Sequence, residues 1–262
     1  MTVFQAILIA LFVYLGAIGS IVGNTIGWYT LGRPLIAAFV VGLILGNVPL
    51  AIELGLLLQL AYLGSVTPGG AMAWDLSYAT YIGVAGTLVF AQDLETAQSF
   101  IWVFAGIGGA IGVAMWNLSY AINIFFNRVA QKGVAEGKTK YMFYANVVCG
   151  QTVGFLLRFV PALIILLTIS ATGGTNIADY IPAWFTQGLS VFGGMIAALG
   201  MGILLSFLVK KKVHFAIFLI GFILISYFGN SITMLGVAVL GALIAYIYYY
   251  YLESKSDVGG AF

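Results

Sequence analysis

The sequence predicts an all-α, polytopic membrane protein with about eight to nine hydrophobic segments, including short re-entrant or broken helices near residues 34–65. Three observations carry this. Of 262 residues, 62% are hydrophobic and 7% charged, against roughly 25% charged in an ordinary soluble domain. The mean hydropathy is +1.10. The apolar residues also fall in long runs rather than the short alternating segments of a barrel. With so little polar material the chain cannot cover a water-facing surface, so it lies in or against the bilayer.

The runs lie near 3–23, 34–48, 51–65, 77–91, 99–122, 143–169, 183–208, 213–229 and 232–251. The first lacks a positive leader and a persuasive cleavage site, so it reads as a retained membrane helix rather than a signal peptide. Segments 34–48 and 51–65 are too short to cross a core of roughly 30 Å. They are separated only by Val48-Pro49-Leu50. Short paired segments broken by Gly or Pro point to discontinuous helices; the competing reading is one long kinked helix. Segments 99–122, 143–169 and 183–208 each read as one crossing.

Orientation follows from Lys and Arg in short loops. Arg128, Lys132, Lys138 and Lys140 lie between two spans, and Lys210, Lys211 and Lys212 between two more. Both stretches are expected on the cytoplasmic side, whereas the acidic AQDLETAQS and the TGGTNIADYIP loop face outward. The tail YIYYYYLE reads as an interfacial aromatic belt. Residues 1–262 are expected to form a single membrane permease domain, with 33–91 as its sugar-site core and 128–140 as a cytoplasmic basic loop. Thirty-four glycines, many at small-xxx-small spacing such as Gly42/Gly46 and Gly108/Gly112, allow close helix approach where lipid removes the hydrophobic drive.

A charge inside an apolar span costs roughly 2.5–3.5 kcal/mol on insertion scales, so Glu53, Asp75 and Arg158 stand out, with Arg33 at a segment start. The stretch ELGLLLQLAYLGSVTPGGAMAWD adds Gln59, a break at Thr67-Pro68-Gly69-Gly70, and Trp74. A broken chain there brings Gln59, Asp75 and freed backbone groups of Thr67, Gly69 and Gly70 to one cavity. Such groups suit a neutral polyhydroxyl ligand, with Trp74 over an apolar sugar face. Asp75 has a second reading as the N-cap of LSYATYIG. Arg158 pairs with Glu53 or another carboxylate, or faces ligand.

No catalytic set is visible. Cys149 is single and apolar-flanked, His214 follows the lysine run, and no Ser-His-Asp grouping, metal spacing, cofactor motif or nucleic-acid patch exists. A receptor role is neither favoured nor tested by the sequence.

Arg33-Pro34-Leu35-Ile36, Gly42 to Asn47, Gly55, Gln59, Leu63-Gly64, Pro68-Gly69-Gly70 and Asp75 together resemble the IIC permease subunit of the mannose/fructose/sorbose/N-acetylgalactosamine type of bacterial sugar phosphotransferase system. That family's signature is Gly, three residues, Gly, then Asp, Asn or His, ending in Glu or Gln about a dozen residues on. Gly42, Gly46, Asn47, Gly55 and Gln59 match it; Ala51 stands where glycine is usual. The resemblance implies a multi-pass protein of the bacterial cytoplasmic membrane that is no enzyme on its own. It implies a IID membrane partner, cytoplasmic IIB and IIA phosphocarriers, a hexose or amino sugar as substrate, lipid contact, and a higher-order IIC–IID oligomer. It also implies that Gln59 and Asp75 contact the sugar. The alternative is an ion- or proton-coupled transporter relaying through Glu53, Asp75 and Arg158.

Overall fold

The computed structural model describes residues 1–63, 74–91, 93–138, 140–172, 183–210, 212–229 and 234–259. They contain helices and no strand among the described residues, and fall into two units, Met1–Leu204 and Leu205–Phe262.

Helix α1 (Val3–Leu15) opens with a capping box. The Thr2 hydroxyl accepts from the Gln5 amide N–H, and the Gln5 side chain accepts from the Thr2 N–H. Where the sequence predicts a helix over 3–23, α1 stops at Leu15. Gly16 lies against the Leu31 carbonyl and Gly32, where a Cβ would sit 3.1–3.2 Å from both. Gly19 and Gly23 then take φ of +74° and +75°, the left-handed region that only glycine enters cheaply. The chain turns into α2 (Gly23–Ile26), a π segment (Gly27–Leu31) and α3 (Pro34–Leu45). The 23–31 and 34–45 pieces meet at a 78° bend.

Helices α3 and α4 (Val48–Ala61) have 12 and 14 residues, about 18 and 21 Å at 1.5 Å per residue. Neither reaches across a bilayer core, as the sequence predicts. They fold into an antiparallel hairpin, with Gly42 against Ala51 and Gly55 against Ala38 and the Pro34 carbonyl. The Gln5 amide donates to the Ile44 carbonyl at 2.8 Å and so ties α1 to the end of α3.

Helix α5 (Leu76–Phe90) is buried from Leu76 through Leu88 and forms the centre of the first unit. Its hydroxyls serve neighbouring backbones: Ser77 donates to the Val13 carbonyl at 2.7 Å, and Tyr81 to the Leu31 carbonyl at 2.9 Å. Helix α6 (Leu94–Ala135) returns antiparallel to it. Gly83 meets Ala105, Gly86 meets Phe104, and Gly108 meets the Tyr78 carbonyl, so small residues set the spacing as their sequence periodicity suggests.

Helix α6 runs 42 residues, well past the apolar segment 99–122. Between residues 122 and 135 no proline interrupts it, and the chain stays helical as it turns polar. Arg128 and Lys132 therefore lie on the last turns of a helix and not in a loop. Lys138 follows with an exposed ion pair to Glu136 at 2.8 Å.

Helix α7 (Lys140–Phe143), a π segment (Tyr144–Cys149) and α8 (Gly150–Thr172) are continuous. Among the described residues, Leu94–Ala135 and Lys140–Thr172 are the helices long and apolar enough to cross a membrane unbroken. Helix α9 (Ala183–Leu208) follows. In the second unit, α10 (Lys212–Phe228) and α11 (Met234–Gly259) pair with each other. Tyr246, Tyr248, Tyr249, Tyr250 and Tyr251 are all exposed on α11.

Candidate functional site

Four residues of the glycine-rich signature have structural work in the α3–α4 hairpin. Gly42 faces the Ala51 methyl, and a Cβ there would lie 2.7 Å from it. Gly46 ends α3 at φ +83°, the left-handed C-terminal position that glycine fills. Asn47 caps α4 by accepting from the Leu50 N–H at 3.4 Å. Gly55 is in backbone contact with α3. Ala51 already carries a methyl at the crossing, so Gly42 must supply the space.

Gln59 has no such task. It lies half-buried near the end of α4, and no described group hydrogen-bonds its amide. Tyr62, one turn on, places its ring 6.0 Å from that of exposed Trp74.

Asp75 is fully buried and performs two tasks. Its Oδ1 accepts from the Tyr78 N–H at 3.0 Å, which makes it the N-cap of α5. Its Oδ2 lies 2.7 Å from Nη2 of Arg158 on α8. The pair is a buried ion pair, and Nη1 of Arg158 meets no acceptor among the described residues. Gly112 of α6 makes the approach possible: a Cβ there would lie 2.5 Å from that of Asp75. Arg158 is buried between two rings, 5.5 Å from the Tyr78 centroid and 5.7 Å from Trp116. Such stacking compensates part of the desolvation of a guanidinium.

Pro161 shapes this end of α8. Proline has no N–H to give the carbonyl four residues earlier, and that carbonyl, of Leu157, accepts instead from the Tyr78 hydroxyl at 2.8 Å. The same hydroxyl lies 2.8 Å from the Arg158 carbonyl. Tyr78 thus satisfies the freed backbone and covers the Arg158 side chain. A small cavity of about 40 Å³ adjoins the guanidinium, bounded by Tyr14, Ser20, Trp116 and Ser119.

Of the residues the sequence singles out, the structure joins Asp75 to Arg158 and sets Trp74 beside Tyr62. Thr67, Gly69 and Gly70 lie outside the described residues. Glu53 is exposed and forms no ion pair among them, so the carboxylate Arg158 takes is that of Asp75. Arg33 stacks over Trp28 and Tyr29 at 5.7 and 5.5 Å. His214 is exposed, and no described group of His, Cys, Asp and Glu could hold a metal. Tyr78 and Trp116 are the residues here that the sequence reading does not single out. A proline within an apolar helix is the signal for the first, since it announces a carbonyl in need of a donor.

The family described as "PTS system sorbose-specific iic component" matches residues 3–247. The chain is 28% identical over 242 residues to the sorbose-specific EIIC component of the phosphotransferase system of Klebsiella pneumoniae, covering 92% of this chain and 87% of that one. Among solved structures, a chain described as a membrane protein superposes with a TM-score of 0.78 at 22% identity, covering 95% of this chain and 96% of that one. The mannose transporter ManYZ in complex with microcin E492 matches with a TM-score of 0.54 at 22% identity and the same coverage. These two likenesses establish a shared fold.

Proposed function

The chain belongs to the sorbose-specific IIC family of phosphotransferase-system permease components, multi-pass proteins of the cytoplasmic membrane, and we propose on that premise that it carries a hexose or amino sugar inward together with a IID membrane subunit. A IIB protein, itself charged by IIA, phosphorylates the sugar as it emerges. The IIC chain takes no part in phosphoryl transfer, and it works in a higher-order assembly with IID.

The observation that carries the reading is Gln59. Every other residue of the signature is engaged in building the hairpin, whereas the Gln59 amide is half-buried and unengaged among the described residues. An amide both donates and accepts, as each sugar hydroxyl does. Gln59 binds hydroxyls, Trp74 covers an apolar face of the ring, and backbone groups of Thr67, Gly69 and Gly70 complete the site. Asp75 retains lone pairs beyond those facing Tyr78 and Arg158, and accepts from a hydroxyl once the site opens to the sugar.

The test is uptake in cells carrying the whole complex. Gln59→Ala and Asp75→Ala each remove a hydroxyl partner worth roughly 1–3 kcal/mol, so uptake falls several-fold to about a hundredfold in complexes that still assemble. Near-wild-type uptake by both variants overturns the site. Uptake that survives loss of the phosphocarriers but stops with an uncoupler overturns group translocation and returns the ion-coupled alternative.

A further inference from the structure

A second, larger cavity of about 290 Å³ opens in the first unit between the Gly19 turn, the middle of α6, and the π segment leading into α8. Its polar lining is uncharged: Ser119, Asn123, Asn127, Asn146 and Gln151. Trp116 and Tyr120 supply aromatic surface, their rings edge to face at 4.8 Å. We propose that this cavity is a second binding station for a neutral polyhydroxylated molecule of monosaccharide size, separate from the Gln59 site; the choice of a sugar as its occupant rests on the permease reading.

The volume is at the lower end for small-molecule sites, which run from about 300 Å³ upward, and so suits one sugar ring rather than an oligosaccharide. The amide groups are of two kinds. Gln151 is held on both sides, accepting from the Tyr14 hydroxyl at 2.7 Å and donating to the Gly19 carbonyl at 2.9 Å. It is a fixed wall with capacity for one further bond of each kind. Asn127 and Asn146 are exposed and unengaged among the described residues, so they are free to meet hydroxyls. Asn146 lies in the π segment, a local widening of helices that recurs at functional sites.

The inner end adds donors in search of acceptors. Ile18, Gly19, Trp116, Ser119 and Gly154 line both this cavity and the small one that reaches Arg158. The indole Nε1 of Trp116 and Nη1 of Arg158 are buried without a hydrogen-bond acceptor among the described residues. A ligand oxygen placed against Trp116 accepts from its Nε1, which removes the cost of leaving that donor unpaired. The Arg158 charge is already countered by Asp75, so the station favours an uncharged sugar over its phosphate ester. A phosphate would enter with no counter-charge of its own.

Calorimetric titration of the whole membrane complex in lipid nanodiscs tests this, with mannose, N-acetylgalactosamine and mannose 6-phosphate as probes. The wild type is expected to bind a free sugar at two sites per IIC chain, and Asn127→Leu/Asn146→Leu to weaken one of them at least tenfold without lowering the melting temperature. Asn127→Gln/Asn146→Gln, which keeps the amides, retains most of the affinity, and Gln59→Ala removes the other site. Loss with Gln59→Ala alone overturns the second station and leaves the Gln59 site standing. Loss with the asparagine pair alone upholds the station and overturns the Gln59 site. A single site lost with either change overturns the separation of the two. Binding of mannose 6-phosphate as tight as mannose overturns the neutral-ligand assignment, and no binding of either free sugar overturns both sites.

Discussion

The hydroxyl of Tyr78 stands 2.8 Å from the carbonyl oxygen of Leu157, the acceptor that Pro161 leaves without its helical partner. A buried carbonyl without a donor costs about 1–3 kcal/mol, and α8 avoids that cost by borrowing a donor from α5. The arrangement also holds the Tyr78 ring beneath the Arg158 guanidinium. A backbone defect in one helix thereby fixes the partner of the buried charge.

Tyr78→Phe is therefore expected to lower the stability of the purified complex by about 1–3 kcal/mol. Pro161→Ala supplies an N–H to the Leu157 carbonyl, so it should recover much of that loss in the Tyr78→Phe background. In the wild-type background its effect is smaller. Thermal unfolding of the four proteins of the cycle measures the coupling. Equal effects of Pro161→Ala in both backgrounds would mean that the two groups do not share the carbonyl.

The Asp75–Arg158 pair makes a separate prediction. Removing one member leaves a buried charge uncompensated, which typically costs 3–5 kcal/mol. Arg158→Met is thus expected to destabilise strongly, and Asp75→Leu likewise, with the lost N-cap adding about 1 kcal/mol. The double replacement should cost less than the sum and less than Arg158→Met alone once Asp75→Asn, which keeps a capping oxygen, is used in place of Asp75→Leu. Melting temperatures of the singles and the double decide it; strictly additive losses would show that the 2.7 Å contact carries no coupling.

At the hairpin, two glycines of one motif should respond differently. Gly46→Ala meets no neighbouring atom within 4 Å and costs only the left-handed backbone strain, about 1–2 kcal/mol. Gly42→Ala would place its methyl 2.7 Å from that of Ala51 and 2.9 Å from the Val48 backbone, so the helices must separate. We expect Gly42→Ala to lower the yield of folded complex well below that of Gly46→Ala, as scored by monodisperse material on size-exclusion chromatography. Equal yields would indicate that the α3–α4 crossing relaxes freely.

These contrasts show what the sequence carries and what it withholds. The short paired segments, the small-residue contacts of Gly108 and Gly112, and the capping role of Asp75 follow from local composition and spacing, and each is present. The end of α1 at Leu15 is a matter of backbone dihedral angles at Gly19 and Gly23; a run of apolar residues hides it because hydropathy does not register φ. The partner of Arg158 depends on which helices are neighbours, and one sequence cannot choose between Asp75 and Glu53. Helix α6 runs past its apolar segment because helix-forming capacity, rather than membrane thickness, sets its end.

The last contrast separates structure from transport within the signature itself. Asn47 caps α4 through its side-chain oxygen, so Asn47→Ala should cost roughly 0.5–2 kcal/mol of stability, and Asn47→Asp or Asn47→Ser should restore it because each supplies a capping oxygen. Uptake per folded complex should then be unchanged, since the residue acts only by forming the hairpin. Gln59→Ala should show the reverse pattern, a normal melting temperature with uptake reduced, because no described group depends on its amide. Measuring uptake and melting temperature on the same preparations separates the two effects. If Gln59→Ala lowers the melting temperature as much as Asn47→Ala does, the glutamine belongs to the scaffold and the sugar contact must be sought elsewhere.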